Sequence, residues 1–289
     1  MRHGEAEHIT KHVINSNPRD LDAYPLTSKG KEQAERAASR LRKKDVPDLI
    51  VTSDFIRTLQ TAEIVADSFK KKIPVVKEKN LREINTGIFD GGDRARYHAF
   101  FSSYLERFTK RPPEGETLVD VVERAHEVIL DLEKNHHGKT ILLVAHEYVI
   151  WALETSMQGW SEEESAHEKE QRGDDFINVG DFEEVPWLLL PRNEKGFVDL
   201  HRPYIDVVSF GCKKCGGRME RILPVMDVWF DSGAVPFAQS HYPFEKKGKL
   251  LYPADYISEA VDQTRGWFYT LLAVGVLLGK GMPYKNVIS

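Results

Sequence analysis

The chain has 289 residues, a formal net charge of −5, and 41% hydrophobic and 29% charged residues, which excludes a disordered polymer and a generally basic nucleic-acid coat and leaves room for two domains. Its longest apolar run, Trp267 to Leu278, is too short for a membrane span and reads as a buried helix. Two cysteines, Cys212 and Cys215, fit a reducing compartment better than a disulfide scaffold, and no charged-then-apolar leader precedes Arg2, so the expectation is a cytoplasmic protein without a membrane partner.

Met1-Arg2-His3-Gly4-Glu5 places an arginine suited to phosphate, a candidate nucleophile and a turn glycine side by side. A neutral imidazole attacks phosphorus only if nearby donors absorb the charge of the transition state, so this opening predicts further partners downstream. Thr27 reads as the N-cap of a helix with Ala34, Ala37, Ala38 and Leu41 at helical spacing. Val46 to Thr52 reads as a buried strand, and Ser53 as a cap for the helix whose first turn carries Arg57, beside the positive end of the macrodipole. A short strand, Ile73 to Val76, leads to Glu83, whose apolar neighbours would raise its pKa toward that of a usable general acid. After Pro112-Pro113, a helix with Val121, Val122, Ala125, Val128, Ile129 and Leu132 on one side runs toward Gly138. Thr140 to Ala145 is an apolar strand that delivers His146 at its C-terminal end, where open α/β sheets bind ligands. Ile177 to Leu190 reads as a closing hairpin or edge strand, and the character of the chain changes between 192 and 193.

Arg-His-Gly-Glu at 2 to 5, Leu-Thr-Ser-Lys-Gly at 26 to 30, Ser-Asp-Phe-Ile-Arg-Thr-Leu-Gln-Thr-Ala at 53 to 62, Glu83 in its glycine-rich loop, Pro-Glu-Gly-Glu-Thr at 113 to 117 and Val-Ala-His at 144 to 146 together resemble the histidine phosphatase (phosphoglycerate mutase-like) superfamily. The resemblance covers about residues 1 to 190 and implies a three-layer α/β domain, residues 1–192. It implies that His3 is transiently phosphorylated, that Arg2, Arg57 and His146 hold the phosphoryl oxygens, that Glu83 protonates the leaving group, and that no cofactor is needed. The sequence departs from the family at Ile9, where an asparagine is usual, and in having only Met1 ahead of the motif where the family has a full strand. A first strand cut short would leave neighbouring edges unpaired, and the expectation is therefore a chain truncated at its N-terminus.

Beyond residue 193, Cys212-Lys213-Lys214-Cys215-Gly216-Gly217 has the turn shape of half a zinc ribbon, although a closed structural site needs four ligands. Val225 to Phe230 reads as a strand, Asp231-Ser232-Gly233 as the turn after it, and Asp262 as the N-cap of the helix that runs to Leu278. Asp-Leu-His-Arg-Pro-Tyr-Ile-Asp at 199 to 206, the Cys-x-x-Cys, Asp-Val-Trp-Phe-Asp-Ser-Gly at 227 to 233, His-Tyr-Pro-Phe at 241 to 244, Asp-Gln-Thr-Arg-Gly-Trp-Phe-Tyr-Thr-Leu-Leu at 262 to 272 and Pro-Tyr-Lys-Asn-Val-Ile at 283 to 288 look like isoleucyl-tRNA synthetases, class I enzymes. That resemblance implies that residues 193–289 are part of a Rossmann-type catalytic domain, with Glu259, Asp262 and Gln263 lining an aminoacyl-adenylate pocket and Trp229 packed nearby. Ala260 stands where the family has glycine.

The two ATP signature motifs of the class, His-Ile-Gly-His and Lys-Met-Ser-Lys-Ser, do not occur in the sequence, which leads to the expectation of a fragment truncated at both ends. In the intact protein the resemblance implies ATP with Mg, isoleucine and the isoleucine tRNA as partners, and a zinc completed by residues outside this chain. Alternatives from the same residues are a stand-alone histidine phosphatase and a non-catalytic module binding phosphorylated ligands or tRNA.

Overall fold

A computed structural model describes residues 1–44, 46–173, 176–187, 190–224, 228–244 and 250–289. It resolves into two compact units, Met1–Met219 and Glu220–Ser289. The first contains α1 (Glu7–Thr10), α2 (Ser28–Lys44), β1 (Leu49–Thr52), α3 (Ile56–Asp67), β2 (Val75–Lys77), α4 (Arg94–Ala99), α5 (Glu106–Thr109), α6 (Leu118–Asn135), β3 (Ile141–Val144), α7 (Glu147–Gln158), α8 (Glu162–Arg172) and the short strand β4 (Ser209–Gly211); β5 (Arg218–Glu220) begins in it and ends on the first residue of the second.

β1 is the middle strand of a parallel sheet ordered β2-β1-β3, with Ile50 opposite Val75 and Leu142. Successive side chains alternate between faces. Ile50, Leu142 and Val144 accordingly join Ala37, Ala38, Leu41, Ala62 and Val65 of α2 and α3 on one side. Leu49 and Val51 join Val121, Val122, Ala125, Val149 and Ile150 of α6 and α7 on the other. The result is the three-layer α/β arrangement expected from the sequence. A strand buried on both faces cannot show polar alternation, which is why Leu49, Ile50 and Val51 run on without a polar break.

The first three residues extend this sheet. The Met1 ammonium donates to the Leu143 carbonyl, Ala145 N–H to Met1 O and His3 N–H to Ala145 O, at 2.8, 3.0 and 3.1 Å. On the other side Gly180 N–H donates to His3 O at 2.9 Å and Arg2 N–H to Asp181 O at 3.0 Å. Both flanks of residues 1–3 are thus paired. The described part of 177–190, read from the sequence as a closing hairpin or edge strand, holds no regular strand, although Gly180 and Asp181 flank the motif segment on that edge.

Helix ends follow local chemistry. Gly30 N–H donates to Thr27 Oγ1 at 3.1 Å, as predicted for that cap. Thr117 and Asp120 form a reciprocal capping box at the start of α6. Ser53 does not cap α3, which has no side-chain cap; its hydroxyl is bonded to His146 Nε2 at 3.0 Å, and the Thr58 hydroxyl donates to the Ser53 and Phe55 carbonyls. The first unit also reaches beyond residue 192, because Arg192 Nε donates to the Ser156 carbonyl at 2.9 Å and Phe197 packs on the α6–α7 core.

The second unit contains α9 (Val228–Ala238), β6 (Ile257–Ser258), α10 (Trp267–Leu277) and β7 (Val287–Ile288). β6 and β7 pair in parallel, Ile257 opposite Val287, with α10 as the crossover. Three expectations are corrected here. Val228-Trp229-Phe230 and Asp231-Ser232-Gly233 are the first turns of α9 rather than a strand and turn, while residues 225–227 lie outside the described residues. An apolar run this short has no periodicity to separate strand from helix. Gly233 decides it through packing: a Cβ there would lie 2.6 Å from Thr270 O on α10. Asp262 sits in a 3-10 turn, Val261–Arg265, and the N-terminus of α10 is capped by Gln263, whose Oε1 accepts from Trp267 N–H at 2.9 Å. Finally, α10 buries only Phe268, Leu271, Val274 and Gly275, so it is a one-sided helix and not a fully buried one. Among the described residues no helix is long and apolar enough to cross a membrane.

Candidate active site

The parallel sheet brings three chain ends to one edge: His3 after the first extended residues, Ser53 after β1 and His146 after β3. Around them lies a cavity of about 350 Å³ lined by Arg2, His3, His8, Asn15, Arg57, Glu83, Arg94, Tyr97 and Glu147 among others. Arg2, His3, Arg57 and Glu83, predicted from sequence to act together, therefore share one cleft. His146 does not line it; its ring stands behind His3, centroid to centroid 5.2 Å, and edge-on to Phe55.

His3 is 2% exposed, and its Nδ1 lies 2.7 Å from the Gly4 carbonyl. A carbonyl can only accept, so Nδ1 carries the hydrogen and Nε2 keeps its lone pair. Burial first, then the charges of Arg57, His8 and Arg2, hold the imidazole well below the usual histidine range, which keeps it neutral at pH 7. This is the protonation state a nitrogen nucleophile requires.

Arg57 donates through Nη1 to Asn15 Oδ1 at 2.5 Å and through Nη2 to the Asn15 carbonyl at 3.0 Å, and its guanidinium lies 4.4 Å from the centre of the Phe55 ring. Burial pushes its pKa down to about 10, so it stays a cation at neutral pH, and its buried Nε has no partner among the described residues. Arg2 donates to the Ile177 carbonyl at 2.7 Å and pairs with Glu147 at 3.2 Å. Glu83 is raised above the ordinary carboxylate range by burial, against the opposing pull of the Ile84 N–H and Arg57. His146 is also held far below the usual range by burial and by Arg57, and its Nδ1 is buried without a partner among the described residues.

Residues 1–171 match the Histidine phosphatase superfamily (branch 1). The chain belongs to this superfamily. Residues 160–289 match tRNA synthetases class I (I, L, M and V). Isoleucine--tRNA ligase 2 of Bacillus cereus is 57% identical over 94 residues, which is 32% of this chain and 9% of that ligase. The chain therefore spans about a tenth of the curated relative it matches. Among solved structures, Mycobacterial hydrolase 1 superposes with a TM-score of 0.51 at 25% identity over 58% of this chain and 82% of that one. The mycobacterial glucosyl-3-phosphoglycerate phosphatase gives 0.50 at 25% identity over the same shares.

Several residues that line this cavity were not singled out from the sequence. Asn15 holds Arg57, while Ile9, at the position where an asparagine was expected, lends the cavity an apolar side chain. His8 stands 5.6 Å from His3, ring to ring, and burial pushes it down to about 2. Glu147 lies at the head of an otherwise apolar stretch, Glu-Tyr-Val-Ile-Trp-Ala-Leu, and that isolated acid beside His146 was the available signal.

In the synthetase-like segment, Gln263 and Trp229 meet around Gly266, where a Cβ would lie 2.5 Å from Gln263 Oε1 and 3.3 Å from the Trp229 ring. Asp262 accepts from Gln263 Nε2 at 3.4 Å, and Glu259 donates its N–H to Ile288 O at 3.2 Å. The Glu259 and Asp262 side chains are exposed. Cys212 and Cys215 lie in the tight turn between β4 and β5, closed by Cys212 N–H to Gly217 O and Gly216 N–H to Cys212 O, both 2.8 Å. Backbone N–H groups of Cys215 and Lys214 directed at the Cys212 sulfur lower its thiol pKa. Two thiols are half of a tetrahedral set, and no cluster of three or more metal-ligating side chains occurs among the described residues.

Proposed function

We propose that the histidine phosphatase domain hydrolyses phosphomonoesters through a phosphohistidine at His3. The observation that carries this reading is the buried His3, with Nδ1 tied to Gly4 O and Nε2 left free, in a cavity shared with Arg2, Arg57 and Glu83. His3 Nε2 gives its lone pair to phosphorus as the ester P–O bond breaks, and Glu83 hands its proton to the departing oxygen. Water then attacks the phosphorus, the Glu83 carboxylate takes a proton from that water, the P–N bond breaks, and inorganic phosphate leaves with His3 neutral again. Arg2 and Arg57 offset the charge that builds on the phosphoryl oxygens, and His146, behind His3, supports its ring. Since Glu83 must start protonated, activity falls as pH rises through its raised pKa.

Around this domain, the reading of the whole is a piece of an isoleucine--tRNA ligase carrying a phosphatase domain. The identity to the Bacillus ligase over 94 residues and the class I synthetase match over residues 160–289 support it. In the intact ligase, Glu259, Asp262, Gln263 and Trp229 would face the aminoacyl adenylate made from isoleucine and ATP with Mg, the isoleucine tRNA would be charged in the cytoplasm, and Cys212 and Cys215 would give a zinc two of its four ligands. This chain alone is not expected to charge tRNA.

The test is hydrolysis of 4-nitrophenyl phosphate by the parent and by His3→Ala, with a search, after an alkaline quench that preserves the P–N bond, for label on His3 from the 32P-labelled ester. The expected loss is at least ~10³-fold, in line with removal of a covalent nucleophile. A His3→Ala protein retaining a tenth of the parent rate would refute the phosphohistidine route.

A further inference from the structure

Glu147 is 4% exposed, and both of its oxygens are occupied. Oε1 accepts from the Lys169 ammonium and, at 3.4 Å, from Phe176 N–H. Oε2 faces Arg2 Nη2 at 3.2 Å and Arg94 Nη2 at 3.1 Å. One buried carboxylate thus ties together three cations, two of which, Arg2 and Arg94, line the same cavity as His3. Lys169 is 1% exposed, with the rings of Tyr104, Tyr148, Trp151 and Phe176 all within 5.9 Å of its nitrogen. An ammonium so enclosed cannot follow a moving partner, so it fixes Glu147. The other side of Arg2 is held by the Ile177 carbonyl.

We propose that Glu147, pinned by Lys169, is a positioning residue that fixes the Arg2 guanidinium in register with His3 and links it to Arg94 across the cavity wall. The inference rests on the phosphoryl-transfer reading and deepens it. A guanidinium on a flexible stem stabilises a phosphoryl group most when it is already oriented before the ligand arrives. Glu147 supplies that orientation and is poorly placed to be a proton donor, because each of its oxygens already accepts from a cation. It also follows that the phosphoryl site depends on α8 and residues 176–177, delivered from the stretch after residue 160 where the match to the synthetase family begins.

The test uses the full chain carrying Glu147→Gln with Lys169→Met, which removes both buried charges together so that neither is stranded, and, beside it, Glu147→Asp, which keeps the charge on a shorter arm. Inorganic phosphate binding is measured by calorimetry and 4-nitrophenyl phosphate hydrolysis across pH. The expected result for the double variant is a folded protein with phosphate affinity weakened about tenfold. KM should rise in the same proportion, kcat should change less, and the fall in activity at high pH should stay where Glu83 sets it. Glu147→Asp should bind phosphate at least ~3-fold more weakly than the parent, since the shorter arm cannot reach Lys169 and Arg2 at once. A folded double variant, or a folded Glu147→Asp, that binds phosphate within twofold of the parent overturns the proposal. So does a high-pH limb that vanishes with Glu147, which would make it the proton donor. A parent that binds phosphate yet hydrolyses nothing defeats the phosphoryl-transfer reading instead, and the binding comparison still decides the role of Glu147.

Discussion

His3 has His8 at 5.6 Å and His146 at 5.2 Å, ring centre to ring centre, and Arg57 and Arg2 bear on all three or on their neighbours. Each of these imidazoles has a folded pKa far below its unfolded value, chiefly through burial, and His126 is lowered to about 4 for the same reason. A group depressed in the folded state stabilises above its unfolded pKa, and that contribution is lost as pH falls, because only the unfolded chain takes up the proton. Glu83 and Glu154, the latter raised to about 7, act in the opposite sense over the same window. The buried histidines thus withdraw stability as pH falls through the unfolded histidine range, and the raised carboxyls offset only part of that loss. We expect the urea midpoint of the phosphatase domain to drop steeply between pH 6.5 and 5. A midpoint that stays level across that range would mean that the site histidines protonate without unfolding. That His3, Arg2, Arg57 and Glu83 gather in one cavity was legible because residue type and neighbours announced it. Asn15 and Lys169 were not, since each acts by holding another residue and its spacing from that residue is set only by the fold.

Among the elements, the join between the motif loop and α2 is made by two glycines. A Cβ on Gly4 would lie 2.3 Å from Gly30 O, and one on Gly30 would lie 2.0 Å from Glu5 O. Gly4 was read as a turn glycine, but close approach of two backbones is what requires it, and its φ is not positive. Glu5 then bridges to α2 by its carbonyl, which accepts from Thr27 N–H at 3.0 Å, and by its carboxylate on Lys29 at 2.7 Å. Gly30→Ala should push α2 away from the His3 loop, costing ~1–3 kcal/mol as an overpacked contact and slowing hydrolysis. Thermal melting and 4-nitrophenyl phosphate turnover check this together. An unchanged melting point would show that the helix can shift freely. Helices α2 and α6 were legible because a one-sided apolar stripe has only one way to be buried. α9 was not, because Val-Trp-Phe has no period and Gly233 reads as a turn until Thr270 is packed against it.

Across the molecule, burial is uneven. Met1–Met219 holds two apolar clusters on the two faces of its sheet, whereas the cluster of Glu220–Ser289 is Ile257, Phe268 and Leu271, with Tyr269, Val276, Leu277 and Val287 exposed. Stability scales with apolar area removed from water, so the second unit should open first. With thermolysin at rising urea, cuts within 220–289 should precede any within 1–219, read by mass spectrometry. Simultaneous loss of both would show one cooperative structure. The sequence by itself determined the phosphatase motif set, the parallel strands carrying Ser53 and His146, and the likeness of the last third to class I synthetases, because each is written in contiguous residues. Only the tertiary structure decided that His146 stands behind His3, that residues 180–181 flank the motif in place of a hairpin, and that the first unit runs on past residue 192. It also decided that Glu147 gathers Arg2, Arg94 and Lys169. Each of those facts joins residues far apart in the chain, and such distances are set by how layers pack, about which local periodicity carries no information.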